Sequence, residues 1–233
     1  MTSPAASGAG TAGGPRRPPP ADDWSRHDVP GIGLRALSGQ RPGWRQRRAG
    51  WVVLATDVDQ AASVAAVLLV RRPGSPDSAR HTLHFERGDG WHWLGADSSA
   101  ARELAVSGRP TAAVHGPTSM MRFLGSSAAR SRADRERLAA GLSAADAGWV
   151  ASAAFRLATE VARLELGGRS IPVPAHGYAV VAWRSPPTLT RPVIAAIGPD
   201  GSRLCELGPH GSLDSLTWES VERAALRDQL PEA

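Results

Sequence analysis

The stretch HTLHFERGDGWHWLG, residues 81–95, carries the clearest strand and turn pattern of the chain. Apolar and polar residues alternate on both sides of Gly88-Asp89-Gly90, which is typical of two strands joined by a tight turn. The alternating apolar residues are Leu83 and Phe85 before the turn and Trp91 and Trp93 after it. This pattern predicts a β-hairpin and indicates a β-rich fold.

The length of the turn decides which residues of the hairpin face each other. A three-residue Gly-Asp-Gly loop pairs Phe85 with Trp93 and places the alternating apolar residues on one face, which we expect to be buried. The other pairs in this register are His84 with Leu94, Glu86 with His92 and Arg87 with Trp91. A two-residue Asp-Gly turn would pair Phe85 with Leu94 instead. The longer loop is preferred because it makes one face consistently apolar.

The preferred register also groups His84, Glu86 and His92 on the opposite face of the hairpin, together with Leu94. Two imidazoles and one carboxylate suit zinc, or iron held by two histidines and a carboxylate. Polar side chains are equally ordinary on the solvated face of a half-buried hairpin. The three residues are therefore a hypothesis for a metal site, and we expect no resident cofactor.

Other signals for chemistry are weak. The sequence has no P-loop, no GxGxxG after a predicted strand, no GxSxG and no HExxH. Asp57 and Asp59 lie in a polar DVDQ stretch that we interpret as a loop, in which carboxylates form turn contacts. His176 in PAHGY is predicted to lie in a loop without a nucleophile or an orienting acid nearby in sequence. Cys205 is the only cysteine, which excludes an intramolecular disulfide, and we predict it to be a small core residue.

The charge of the chain is concentrated near its beginning. All 27 basic residues are arginines, and residues 1–50 contain eight of them against three acids, whereas the remainder is neutral. This first segment is rich in Pro, Gly, Ser and Ala, which predicts a disordered basic tail. Trp44, Arg45, Arg47 and Arg48 are its densest group and are the predicted contacts with a ligand or polyanion. The alternative for residues 31–48 is a solvated linker whose few apolar residues pack on the body.

The predicted fold class is mainly β (α+β), with two β-rich, sandwich-like modules, a helical connector and a C-terminal helix. The predicted organisation is a tail over 1–50, the first module over 51–97, the connector over 98–147, and the second module with its helix over 148–233. In the second module, Gly167-Gly168 predicts a hairpin with Leu164 opposite Ile171, and Gly198-Pro199-Asp200-Gly201 predicts a turn. Thr217–Leu230 has the pattern of an amphipathic helix.

Composition also bounds location and function. The sequence lacks the order of a secretory signal peptide and has no apolar run of about 18 residues, so we expect a cytoplasmic location without a transmembrane segment. The predicted function is a soluble, non-enzymatic binding or scaffold protein whose basic tail engages an acidic protein or polyanion. Two alternatives stay open: a metal- or small-molecule-dependent activity in the first module, and attachment of the tail to nucleic acid or a membrane surface.

Overall fold

A computed structural model describes residues 27–101, 108–115, 119–142, 148–185 and 192–208. In this part of the chain, eleven strands form three antiparallel sheets, and the helices are few and short. The prediction of a mainly β fold is confirmed. The predicted helix over Thr217–Leu230 lies outside the described residues. None of the helices that the structure describes is long and apolar enough to cross a membrane.

The three sheets are built largely from neighbouring segments of the chain. The first contains β1 (Trp51–Asp59), β2 (Val64–Arg71), β3 (Ala79–Arg87) and β4 (Trp91–Ala100), in that order. The second has the order β5 (Met121–Arg130), β6 (Trp149–Leu157) and β9 (Tyr178–Ser185). In the third, β11 (Arg203–Leu207) pairs with β10 (Ile194–Ile197), followed by β7 (Arg163–Leu166) and β8 (Arg169–Pro172). The described helices are α1 (Val29–Leu37), α2 (Trp44–Arg48), α3 (Ala112–His115) and α4 (Arg132–Ala139).

Side chains along the central strands alternate between the two faces of each sheet. They form three hydrophobic clusters between the layers. On β2, Ala66 and Leu68 join a cluster with residues of the second sheet, whereas Val67 and Leu69 join one with α1. A third cluster contains residues of the second and third sheets, including Phe155. Because β2 is covered on both faces, it is an unbroken apolar run in the sequence. The division into two modules stays a prediction, and the middle cluster draws on both of them.

The hairpin has the predicted three-residue loop, with one correction. Phe85 lies opposite Trp93, but a bulge at Leu94 places His84 opposite Gly95 instead of Leu94. The extra residue turns Leu94 into the cluster shared with the second sheet. Phe85 is buried as predicted, whereas Trp93 is 44% exposed. The expectation of one wholly buried apolar face is therefore wrong. Helix α1 covers Phe85, which packs against Gly33, whereas Trp93 stays partly exposed to solvent.

The turns predicted in the second module are both present. Leu164 pairs with Ile171 across the two-glycine turn, as the spacing predicts. At the other turn, the Gly201 amide donates to the Gly198 carbonyl, and Gly201 has a φ of 84°, which only glycine adopts readily. These turns join β7 to β8 and β10 to β11.

Part of the predicted 1–50 tail is folded. Residues 1–26 lie outside the described part of the chain, but residues 27–50 form α1 and α2 against the first sheet. Val29 and Ile32 are fully buried there, and Asp28 caps α1 by accepting a hydrogen bond from the Gly31 amide. Val29 and Ile32 are spaced three apart, so both lie on the buried face of a helix once this segment packs on the first sheet. The prediction of disorder up to residue 50 is wrong for 27–50.

The predicted helical connector is also only partly helical. It contains α3 and α4, but β4 continues to Ala100 and β5 forms a ten-residue strand over Met121–Arg130. The sequence of β5 includes Gly125, Ser126 and Ser127, which have low strand propensity. Pairing with β6 on both sides of a bulge at Leu124 compensates for that local preference.

Candidate functional site

The structure separates His84 from the other two residues of the proposed metal site, whereas Glu86 lies opposite His92 as the three-residue loop predicts. His84 is buried, contrary to the expectation of a solvated face, because the second sheet covers that side of the hairpin. Its Nε2 lies 2.9 Å from Ser152 Oγ and 3.2 Å from Ser127 Oγ. Burial lowers the pKa of His84 to about 4, and hydrogen bonds to the Ser127 and Gly95 backbones only partly oppose this. His84 is therefore a neutral polar link between two sheets.

Glu86 and His92 lie in a charged network outside that core. The Glu86 carboxylate accepts hydrogen bonds from Arg184 Nη2 and from the Arg132 amide at the start of α4, each at 2.6 Å. His92 Nε2 lies 2.6 Å from Asp89 Oδ1 and 3.1 Å from Arg132 Nη1. The carboxylate of Glu86 stabilises the N-terminus of α4, where anions are favoured.

These contacts give the metal hypothesis no support. Glu86 and His92 both contact Arg132, whereas His84 contacts serines of the second sheet. The described ranges contain no group of three or more His, Cys, Asp or Glu side chains that could hold a metal ion. The proposed metal site stays an untested prediction.

The predicted polyanion contacts lie together on α2. Trp44 is 61% exposed, and Arg45, Arg47 and Arg48 are exposed beside it. The Arg45 guanidinium carbon lies 5.8 Å from the centre of the Trp44 ring, a distance typical of a cation–π contact. We call Trp44, Arg45, Arg47 and Arg48 the α2 basic surface.

A buried side chain holds this surface against the body. Gln46 lies between the exposed arginines in sequence, and its Oε1 accepts a hydrogen bond from the Gly43 amide at 2.7 Å. Its Nε2 donates to the His27 carbonyl at 3.3 Å. The α2 basic surface is thus presented by an ordered helix and not by a flexible tail.

The charge around α2 has one sign. Residues 29–50 contain five arginines and no acidic residue. The exposed Arg72 lies beside the end of α2, and its amide donates to the Gly50 carbonyl at 2.8 Å. Within the described ranges, Arg45, Arg47 and Arg48 form no ion pair. Such a surface attracts anionic partners.

Sequence reasoning missed a buried ion cluster that involves Asp57. This residue lies on β1, not in a loop, and both of its oxygens are 3.2 Å from Arg169 Nη1. It also accepts a hydrogen bond from the Ala182 amide at 2.7 Å, while Asp59 lies 3.2 Å from Arg169 Nε. Burial raises the pKa of Asp57 despite these partners. The cluster joins β1, β8 and β9, which belong to three different sheets.

Sequence reasoning also missed a group of basic side chains around Tyr178. Arg122, Arg156 and Tyr178 lie directly opposite one another on β5, β6 and β9. His176 was noted in the sequence as a loop residue, and its Nδ1 accepts a hydrogen bond from the Tyr178 amide at 3.1 Å. Only the strand register brings these residues together, so no local sequence signal could have found the group.

Comparison of the chain with protein-family models, with curated protein sequences and with solved structures finds no match in any of the three. The case for a function therefore depends on the described side chains alone.

Proposed function

We propose that this chain is a non-enzymatic binding or scaffold protein that engages an acidic segment of a protein partner through the α2 basic surface. The observation that carries the proposal is an exposed tryptophan beside three exposed arginines on a helix anchored by buried Gln46. Arginine and tryptophan are the residues most enriched among those that dominate binding energy at interfaces.

The anchoring of α2 favours binding over a purely solubilising role. A flexible segment loses conformational freedom when it binds, whereas an ordered helix has lost most of that freedom on folding. The three guanidinium groups can form bidentate hydrogen bonds with carboxylates, and Trp44 adds apolar area beside them. The surface can therefore recognise an acidic segment that also contains apolar side chains.

The rest of the proposal concerns the body that carries this surface. We propose that its sheets form two sandwich-like modules with the C-terminal helix as a closing element, and that the protein is cytoplasmic. The absence of catalytic motifs in the sequence and the neutral, buried state of His84 support a scaffold role over an enzymatic one.

The test compares the full chain with a variant carrying Arg45→Ala, Arg47→Ala and Arg48→Ala. A matched control removes the same charge at exposed arginines elsewhere, through Arg87→Ala, Arg137→Ala and Arg203→Ala. The probe is a fluorescent polyglutamate peptide, and binding is measured at about 50 and 200 mM salt because surface electrostatics weaken with ionic strength. We expect the α2 variant to bind at least about tenfold more weakly than the native chain, and the control to bind like the native chain.

Duplex DNA and vesicles containing phosphatidylserine serve as competing probes in the same assay. Preferential binding of either one, lost in the α2 variant, would replace the acidic protein partner with nucleic acid or a membrane surface. Equal binding by all three proteins, or no binding of any probe at the lower salt concentration, would show that the α2 basic surface has no binding role.

A further inference from the structure

A short acidic segment precedes the first described helix. Residues 1–50 contain only three acidic residues, and one of them, Asp28, caps α1 by accepting a backbone hydrogen bond. The other two are the neighbours Asp22 and Asp23, which are followed directly by Trp24. We call Asp22, Asp23 and Trp24 the acidic segment. Residues 18–25 contain both aspartates and no basic residue, so this stretch is negative within an otherwise basic part of the chain.

The described chain begins in contact with α2. The buried Gln46 of this helix donates from Nε2 to the His27 carbonyl at 3.3 Å. Asp23 precedes His27 by four residues, and an extended chain spans at most about 3.6 Å per residue, so their backbones lie within about 14 Å of each other. Helix α2 has five residues and is therefore only about 7.5 Å long. The acidic segment is thus tethered within reach of the α2 basic surface.

The two groups of side chains are complementary. The α2 basic surface presents three exposed arginines beside an exposed tryptophan, and the acidic segment contains two carboxylates beside a tryptophan. Guanidinium groups bind carboxylates through paired, charge-assisted hydrogen bonds, and aromatic rings pack favourably against one another. Residues 29–50 contain no acidic residue that would compete for the three arginines. The acidic segment therefore has the chemistry that the proposed function requires of a partner.

Attachment to the same chain makes even a weak contact effective. A short tether holds a binding segment at an effective concentration of about 1 mM. A contact with a Kd of about 0.3 mM then forms in about three quarters of the molecules. An acidic partner finds the surface open in only about a quarter of them, which weakens its apparent affinity about fourfold.

We propose that the acidic segment occupies the α2 basic surface within the same molecule and competes there with the acidic protein partner. The free protein is thus autoinhibited, and a partner binds by displacing the acidic segment. This inference rests on the proposed function, because it concerns the same surface and names the group that covers it in the absence of a partner.

The first experiment neutralises the acidic segment in the full chain through Asp22→Asn and Asp23→Asn. The matched control, Glu136→Gln and Glu206→Gln, removes two exposed carboxylates from α4 and β11. Binding of the fluorescent polyglutamate peptide is measured at about 50 mM salt, where screening is weak. We expect the Asp22/Asp23 variant to bind about fourfold more tightly than the native chain, and the control to bind like the native chain.

A combined variant tests whether the effect depends on α2. Asp22→Asn and Asp23→Asn should leave polyglutamate binding unchanged when Arg45, Arg47 and Arg48 are already replaced by alanine, because the surface that the acidic segment covers is then lost. An equal gain in affinity with and without these arginines would show a general effect of charge and would overturn the inference.

The second experiment needs no partner. Amide ¹H–¹⁵N NMR signals of residues 44–48 should differ between the native chain and the Asp22/Asp23 variant, whereas those of α4 should not. The difference should decrease between about 50 and 500 mM salt, because screening weakens the contact. It should not change with protein concentration, since both groups belong to one molecule. Dependence on concentration would indicate a second copy of the chain as the occupant and would overturn the inference.

The two experiments separate this inference from the proposed function. Unchanged binding by the Asp22/Asp23 variant, or unchanged signals of residues 44–48, overturns the inference, while binding of the native chain through α2 still supports the proposed function. Absence of polyglutamate binding by every protein, with altered signals of residues 44–48, overturns the proposed function and supports the internal contact.

Discussion

His81 and His84 lie on opposite faces of β3, and both are buried against serine hydroxyls. His81 Nδ1 is 2.6 Å from Ser98 Oγ, and His84 lies between the serines of β5 and β6. Burial lowers the pKa of each imidazole from 6.5 to about 4. Both histidines are therefore neutral at pH 7, and their protonation requires charge to enter the interior.

These two residues predict a loss of stability in acid. The unfolded chain binds protons on them below pH 6.5, whereas the folded chain does so only near pH 4, so stability falls as the pH drops between these values. Each histidine contributes up to about 3 kcal/mol to this loss. Urea unfolding of the native chain and of His84→Gln at pH 7 and pH 4.5 measures it. We expect the free energy of unfolding to depend less on pH in the variant, and the remaining dependence to be due to His81. Identical pH dependences in the two proteins would contradict the assignment to His84.

At the scale of elements, the sequence predicted the tight turns, because their conformation depends on residues that are close together in the chain. The Gly88–Gly90 loop and the Gly167-Gly168 turn each carry their own conformational signal, and the structure has both. The bulge at Leu94 and the strand β5 depend on packing against other sheets, so local sequence patterns did not predict them. The basic group around Tyr178 needs the register of three strands, β5, β6 and β9, and could not be predicted for the same reason.

Helix α1 was missed in the sequence but covers one face of the first sheet. Ile32 is fully buried against a cluster that includes Leu83 and Phe85. We expect Ile32→Ala to reduce the free energy of unfolding by about 2–5 kcal/mol, because it removes methyl groups and leaves a cavity. Leu138→Ala, at a partly exposed position of α4, is the control and should cost less than about 1 kcal/mol. Equal costs would mean that α1 is not part of the stable core.

At the scale of the whole molecule, Asp57 and Arg169 connect elements that are far apart in sequence. Asp57 belongs to β1 in the first sheet and Arg169 to β8 in the third, while the Ala182 amide that donates to Asp57 belongs to β9 in the second. Asp57 accepts hydrogen bonds from the Arg169 side chain and from the Ala182 amide. Removal of the Asp57 or the Arg169 side chain therefore leaves the other one as a buried charge with fewer partners. Such a loss is costly, because the desolvation of the remaining charge is no longer offset.

This connection predicts strong coupling between the two residues. Asp57→Ala and Arg169→Ala should each reduce the free energy of unfolding by about 3–5 kcal/mol. The double variant should cost at least about 1 kcal/mol less than the sum, because each single change already removes the shared interaction. Arg163→Ala is the control: it breaks the more exposed pair with Glu165 on β7, in the same hairpin as Arg169, and should cost less than about 1 kcal/mol. Additive effects of Asp57→Ala and Arg169→Ala in urea unfolding would show that the cluster does not couple the three sheets.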